Sequence, residues 1–192
     1  MIRELQKTFP SKYQRGFCVF LTGLSGAGKS VIAGLLREKL TELAGRTITL
    51  LDGDVLRQQF ARTPGFSKED RDLNISRMAY IASEIVKHRG IAICAAIAPY
   101  EKTRQQARDL ISQHGGFIEG YIATPIEVCE QRDTKGLYAK ARSGEITNFT
   151  GINDPYEIPK HPEVIVDTSA LTPTETIQRF ILKLESLGFL KS

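Results

Sequence analysis

Phe17-Cys18-Val19-Phe20-Leu21-Thr22-Gly23-Leu24-Ser25-Gly26-Ala27-Gly28-Lys29-Ser30 is the stretch that decides the fold. Its first six residues form a short apolar run, the composition of a strand buried on both faces. Its last eight match GxxxxGK[ST] in full, the Walker A pattern. From Lys29 to Leu43, the residues Ile32, Leu35, Leu36, Leu40 and Leu43 recur at helical spacing. Strand, glycine-rich turn and helix in that order make a cradle for phosphate. The glycines let backbone N–H groups converge on an anion without Cβ clashes. The helix N-terminus adds a favourable dipole. Lys29 can bridge the β- and γ-phosphates of a nucleotide as a point charge. Ser30 offers a hydroxyl ligand to Mg²⁺, an ion that takes oxygen donors.

Outward from this stretch, strands and helices alternate. Thr47 to Leu51, Ile91 to Ile97, Phe117 to Ala123 and Val164 to Val166 read as strands. Asp70 to His88, Pro99 to Gln113 and a last segment around Ile177, Phe180, Ile181 and Leu184 read as helices, and Pro125 opens a short one. That order predicts a three-layer α/β domain with a mainly parallel central sheet. Thr134 to His161 breaks the pattern: it is long, polar and rich in Gly, Pro and basic residues. A loop of that length in a small domain suggests a mobile lid, here bounded at about residues 132–161, with surface disorder as the alternative. Residues 1–15 read as an N-terminal arm and 16–192 as the domain.

The 192 residues suffice for one hydrophobic core, and 41% apolar with 25% charged residues is ordinary for a globular chain. No apolar run approaches the roughly 20 residues of a membrane span, and Met1 to Arg15 lacks the apolar core and cleavage site of a signal peptide. A cytoplasmic protein with no membrane and no nucleic-acid partner is expected. The net charge of +4 fits simple solubility or the binding of polyanionic nucleotides. Cys18, Cys94 and Cys129 are odd in number and include no CxxC pair. They read as small buried hydrophobes rather than a disulfide or zinc framework.

A guanine-reading NKxD motif is absent, and so is the apolar-strand–Asp–Glu pattern of motor ATPases. The second strand ends instead in Asp52-Gly53-Asp54. In an open parallel sheet, ligands sit at the carboxyl ends of strands, so both carboxylates can face a γ-phosphate. One can organise Mg²⁺ and the other can take a proton from an acceptor hydroxyl. The alternative is a pair of turn or cap residues before a helix at Val55. Arg57, Arg62, Phe66, Arg71, Asn74 and Arg77 follow. Guanidinium groups with an interleaved ring suit an anionic aromatic ligand. Arg71, Asn74 and Arg77, three residues apart, can share one helix face, which could equally be a solvated one.

At these residues the sequence resembles the adenylylsulfate kinase family. The likeness runs from about Gly16 to the last helix and rests on GLSGAGKS, LDGDVLR, GFSKEDRDLNISR, CEQRDTKGLYAKAR and NFTGINDPYE in combination. The resemblance implies a P-loop kinase fold, and transfer of the γ-phosphate of MgATP to the ribose 3′-hydroxyl of adenosine 5′-phosphosulfate. It implies an ATP site of Gly23, Leu24, Ser25, Gly26, Ala27, Gly28, Lys29, Ser30 and Val31, closed over by Arg132. Asp54 is implied at the acceptor hydroxyl as base, and Asp52 with Ser30 at the metal. Lys135 is implied near the transferred phosphate. The implied acceptor site comprises Asp54, Arg57, Phe66, Arg71, Asn74, Ile97, Ala98, Lys135, Asn148, Phe149 and Ile152, with Phe66 and Phe149 sandwiching the adenine. It further implies a homodimer and a functional link or fusion to ATP sulfurylase.

This sequence departs from the family pattern at one informative position. The family often has Ile-Ser-Pro after the third strand, with a serine that can be phosphorylated, and here the residues are Ile97-Ala98-Pro99. Without a hydroxyl at Ala98, direct in-line transfer is the expectation, since it needs only positioning and charge neutralisation. Leu73 for a common Glu and Ser76 for a common Arg bear on affinity. Two other readings stay open: a non-catalytic regulatory module that binds the nucleotide, favoured by Ala98, and a small-molecule kinase of the shikimate or gluconate type.

Overall fold

The computed structural model describes residues 14–60, 65 and 67–191. Most of the expected N-terminal arm, together with Arg62 and Phe66, lies outside the described residues. Five strands, β1 (Phe17–Thr22), β2 (Ile48–Asp52), β3 (Ile91–Ala95), β4 (Gly116–Ile122) and β5 (Val164–Val166), form one sheet in the order β2-β3-β1-β4-β5. Every pairing is parallel; in β1, Phe17 lies opposite Ile91 on one side and Gly116 on the other. The helices are α1 (Lys29–Ala44), α2 (Gly53–Phe60), α3 (Lys68–Lys87), α4 (Glu101–Ser112), α5 (Ile126–Arg132), α6 (Leu137–Arg142) and α7 (Pro173–Ser186).

The continuous apolar run of β1 has a physical reason. All six of its residues are buried, because helices cover both faces of the sheet. Phe17, Val19 and Leu21 point to one side, where they join Ile32, Leu36 and Leu40 of α1 and Phe180 and Leu184 of α7. Cys18 and Phe20 point to the other, among Met78, Ala82 and Val86 of α3 and Ala107 and Ile111 of α4. This alternation is the two-residue period of a strand. All three cysteines are free and buried, and the Cys18 and Cys94 sulfurs approach to 3.6 Å within the second core. They pack as small apolar groups.

Caps set the helix starts. Ser67 begins α3 and Thr172 begins α7, each through a reciprocal box with the residue three on, Asp70 and Glu175. Pro173 occupies the first position of α7, where its missing N–H costs nothing. α1 is different: Gly28 precedes it with φ 99°, no side chain caps it, and its first turn carries no acid. Its amides are left open to an external anion.

The stretch Thr134 to His161, expected as an irregular lid, contains α6. Asp133 explains the helix: its carboxylate accepts from the backbone N–H groups of Tyr138 and Ala139, both at 3.1 Å. Tyr138 and Ala141 turn inward from it. Among the described residues, no helix is long and apolar enough to cross a membrane.

The chain leaves β1 toward β2 and β3 but leaves β3 toward β4, on the opposite side of β1. The connections therefore diverge at the carboxyl ends of β1 and β3, the position at which open α/β sheets bind ligands.

Candidate active site

A cavity of about 690 Å³ opens at that point. One wall is the Walker A loop. Gly23 (φ 150°) and Gly26 (φ 74°) hold backbone conformations that side chains resist. A Cβ on Gly23 would lie 2.5 Å from the Ile122 carbonyl oxygen. The loop can therefore bend back on β4 only as glycine. Lys29 donates from Nζ to the carbonyls of Gly23 at 3.0 Å and Leu24 at 2.7 Å. Burial lowers its pKa to about 8, against the opposing pull of Cys129, Asp54 and Asp52. Ser25, Gly26, Gly28, Lys29, Ser30 and Val31 line the cavity. Gly23, Leu24 and Ala27 shape the loop from behind and do not line it.

The adjoining wall carries the acidic loop. Asp52 takes the cap role that its sequence position left open and also faces Ser30. One carboxylate oxygen accepts from the backbone N–H of Asp54 at 2.9 Å, capping α2, and the other accepts from the Ser30 hydroxyl at 3.1 Å. Two adjoining oxygen donors beside a phosphate loop suit Mg²⁺, which keeps several waters and binds through one or two protein groups plus phosphate. Among the described residues, no group of three or more His, Cys, Asp or Glu side chains could hold a metal ion. The Asp54 side chain is 65% exposed to the cavity, and its carboxylate meets the Lys135 ammonium at 2.7 Å. That contact holds the Lys135 pKa above its ordinary value.

Arg57, Asn74, Ile97, Ala98, Asn148 and Phe149 line the same cavity. Asn74 donates to the Gly53 carbonyl at 3.0 Å and so braces the acidic loop. Ala98 is buried with φ 45°, and its carbonyl accepts from Arg104 at 2.7 Å. Arg71 lines the cavity, but its guanidinium is engaged. It donates to the Asn148 carbonyl, to the Thr150 hydroxyl at 2.8 Å and to the Asp154 carboxylate. Ile152 stands outside the cavity lining and packs on the main core. Arg77 also stands outside, bonded to the Phe60 carbonyl at 3.1 Å. Arg132, the last residue of α5, donates to the Thr168 hydroxyl at 2.8 Å and to the Gly26 carbonyl at 3.3 Å.

Several lining residues escaped the sequence reading. Thr168 follows β5 and donates to the Ala27 carbonyl at 3.0 Å, tying the loop after the last strand to the Walker A turn. Its position at the carboxyl end of a strand was the available signal. Leu171 and Thr176 extend that side of the cavity. Tyr138 lies inside the KGLY segment, and its hydroxyl donates to the Ser25 carbonyl at 2.9 Å.

A parallel sheet with a Walker A loop at the end of its central strand, beside an acidic loop and the 132–149 segment around one cavity, defines a P-loop kinase domain. The family model described as adenylylsulphate kinase matches residues 15–167. An adenylylsulfate kinase of Mycobacterium tuberculosis, whose structure holds AMPPNP and APS, is 41% identical, with a TM-score of 0.83. The match covers 89% of this chain and 98% of that one. A hexameric adenylylsulfate kinase from Thiobacillus denitrificans is also 41% identical, with a TM-score of 0.76, over 99% of this chain and 33% of that one. A sulfate adenylyltransferase of Phaeosphaeria nodorum is 43% identical over 99% of this chain and 33% of its own length. The chain belongs to the adenylylsulphate kinase family of ATP-dependent phosphotransferases. It spans about a third of the length of the curated relatives that it matches.

Proposed function

We propose that this domain transfers the γ-phosphate of ATP to the ribose 3′-hydroxyl of adenosine 5′-phosphosulfate, yielding 3′-phosphoadenosine 5′-phosphosulfate and ADP. The observation that carries the proposal is one cavity shared by Lys29 and Ser30 on one wall and the Asp54–Lys135 pair on the other. The Mycobacterium tuberculosis relative, bound to a donor analogue and the sulfonucleotide, supports the choice of substrates.

In this reading, residues 16–192 are the catalytic domain and 132–161 its lid. The open amides of α1 and the Lys29 ammonium hold the donor phosphates. Arg132 closes over the nucleotide from the lid root. Asp54 accepts the proton of the 3′-hydroxyl as that oxygen attacks the γ-phosphorus in line with the departing ADP oxygen. Lys135 leaves Asp54 to neutralise charge on the transferred group. Ser30 and Asp52 would hold Mg²⁺, which neutralises charge on the phosphates when bound. Arg57, Asn74 and Phe149 line the acceptor end, with the Phe149 ring available for adenine stacking, and Phe66 is its proposed counterpart.

No phosphoserine takes part, because Ala98 supplies no hydroxyl. The same alanine favours a second reading, a regulatory domain that binds the nucleotides without turning them over. A coupled ADP-release assay with MgATP, with and without adenosine 5′-phosphosulfate, distinguishes the two when the product is identified. ADP release that depends on the sulfonucleotide, matched by 3′-phosphorylated product, is expected. Tight binding without product would establish the regulatory domain. Light scattering decides between the homodimer that the resemblance implies and a larger ring. Co-purification with ATP sulfurylase tests that partnership.

A further inference from the structure

Tyr138 stands where the two halves of the cavity meet. It is 1% exposed, although it belongs to a short polar segment whose neighbours Ala139 and Lys140 are exposed. Its hydroxyl donates to the carbonyl of Ser25, in the first turn of the Walker A loop, at 2.9 Å. Its ring meets Phe149 edge to face, with centroids 4.8 Å apart and planes at 76°. Phe149 and Ser25 both line the cavity, at what the proposed function makes its acceptor and donor ends. One rigid side chain thus touches the backbone that must order around donor phosphates and the ring that must order against an acceptor base.

The surroundings leave this side chain little freedom. Burial pushes the tyrosine pKa up, so the hydroxyl stays protonated and keeps donating. Asp133 caps the backbone N–H of Tyr138 itself at 3.1 Å, fixing the start of α6. Beyond Phe149, the chain is tied down by Arg71 through Asn148 and Thr150. The start of α6 is set by the Asp133 carboxylate on backbone N–H groups, a cap that involves neither the Tyr138 ring nor its hydroxyl. The hydroxyl bond and the edge-to-face contact are each of the size that biases a conformation without locking it.

We propose that Tyr138 is a positioning residue that couples the two substrate sites, so that a nucleotide seated in the Walker A loop raises affinity for the acceptor on Phe149, and the reverse. The inference rests on the function proposed above. Coupling of this kind is reciprocal: each ligand changes the other's affinity by the same factor. In Tyr138→Phe the ring stays and the hydroxyl bond to Ser25 goes. The coupling factor should fall by about five-fold, the worth of one neutral hydrogen bond. In Tyr138→Leu both contacts go, and the factor should approach one.

The test is calorimetric titration of adenosine 5′-phosphosulfate into the protein with and without a saturating non-hydrolysable ATP analogue, in the wild type and both variants. Melting curves are recorded alongside, since a purely structural tyrosine would lower Tm yet leave the ratio of the two affinities unchanged. The expected result is a wild-type ratio well above one that drops in Tyr138→Phe while affinity for the analogue alone changes less. A Tyr138→Phe ratio equal to the wild-type ratio would overturn the proposal, as would a wild-type ratio of one. Failure of the wild type to bind either nucleotide would instead overturn the proposed function.

Discussion

Removing the Arg71 guanidinium should loosen the segment that carries Asn148, Thr150 and Asp154 as well as the cavity wall that Arg71 lines. The Arg71 side chain is 8% exposed, and its partner Asp154 22%. Arg71→Met keeps the aliphatic length but leaves the Asp154 carboxylate, the Thr150 hydroxyl and the Asn148 carbonyl without their shared donor. Breaking a buried ion pair by deleting one partner costs about 3–5 kcal/mol. The lower end applies here, because Asp154 keeps the Tyr100 hydroxyl at 3.0 Å and some access to water. For a domain of this length, about 3 kcal/mol corresponds to a fall in Tm of roughly 6–12 °C. Calorimetric melting of the wild type and Arg71→Met, with limited proteolysis across residues 134–157, measures it. The variant should melt lower and be cut faster in that segment. An unchanged Tm with loss of acceptor binding alone would refute the reasoning, and would make Arg71 purely a ligand contact.

Other outcomes follow from the same geometry. Lys29→Ala should lower turnover by about a hundred-fold or more while retaining acceptor binding, because in the proposed reaction the lost charge acts on the transferred phosphate; near wild-type turnover would show that the cradle is misassigned. Lys29 has a folded pKa of about 8, below the ordinary lysine value of 10.5. Its charged form is therefore penalised in the free fold below pH 8, and that penalty fades as pH rises from about 8 toward 10.5. Donor phosphates favour the charged form, so binding an ATP analogue near pH 8.5 should take up a proton. Titrations in buffers of different ionisation enthalpy would detect it, and no uptake would contradict the lowered pKa. Ala98→Ser should leave turnover close to wild type and yield no phosphoprotein in mass spectra after incubation with ATP. A labelled serine that is chased into product would restore a covalent route.

The sequence outlined one wall of the cavity and missed a detail of it, for a geometric reason. Three-residue spacing suggested that Arg71, Asn74 and Arg77 share a face. Each such step turns the helix about 60° short of a full circle, so two steps carry Arg77 well away from Arg71. Arg71 and Asn74 are buried at the cavity, and Arg77 binds the Phe60 carbonyl outside it. Similarly, polarity and glycine content suggested an irregular lid from Thr134 onward. Those averages hid the Asp133 cap and the inward pair Tyr138 and Ala141 that build α6.

The amino-acid sequence by itself determined β1, the Walker A turn and α1, together with the parallel α/β class. These follow from local rules: apolar runs, helical spacing, and glycines where a side chain would collide. Only the tertiary structure decided which distant groups meet. Asp54 and Lys135 are 81 residues apart, Arg71 and Asp154 are 83, and Tyr138 and Ser25 are 113. Local periodicity carries no information at such separations. Those contacts arise because parallel strands bring every strand-to-helix loop to the same edge of the sheet, where residues after β1, β2 and β3 and from the segment after α5 converge on one cavity.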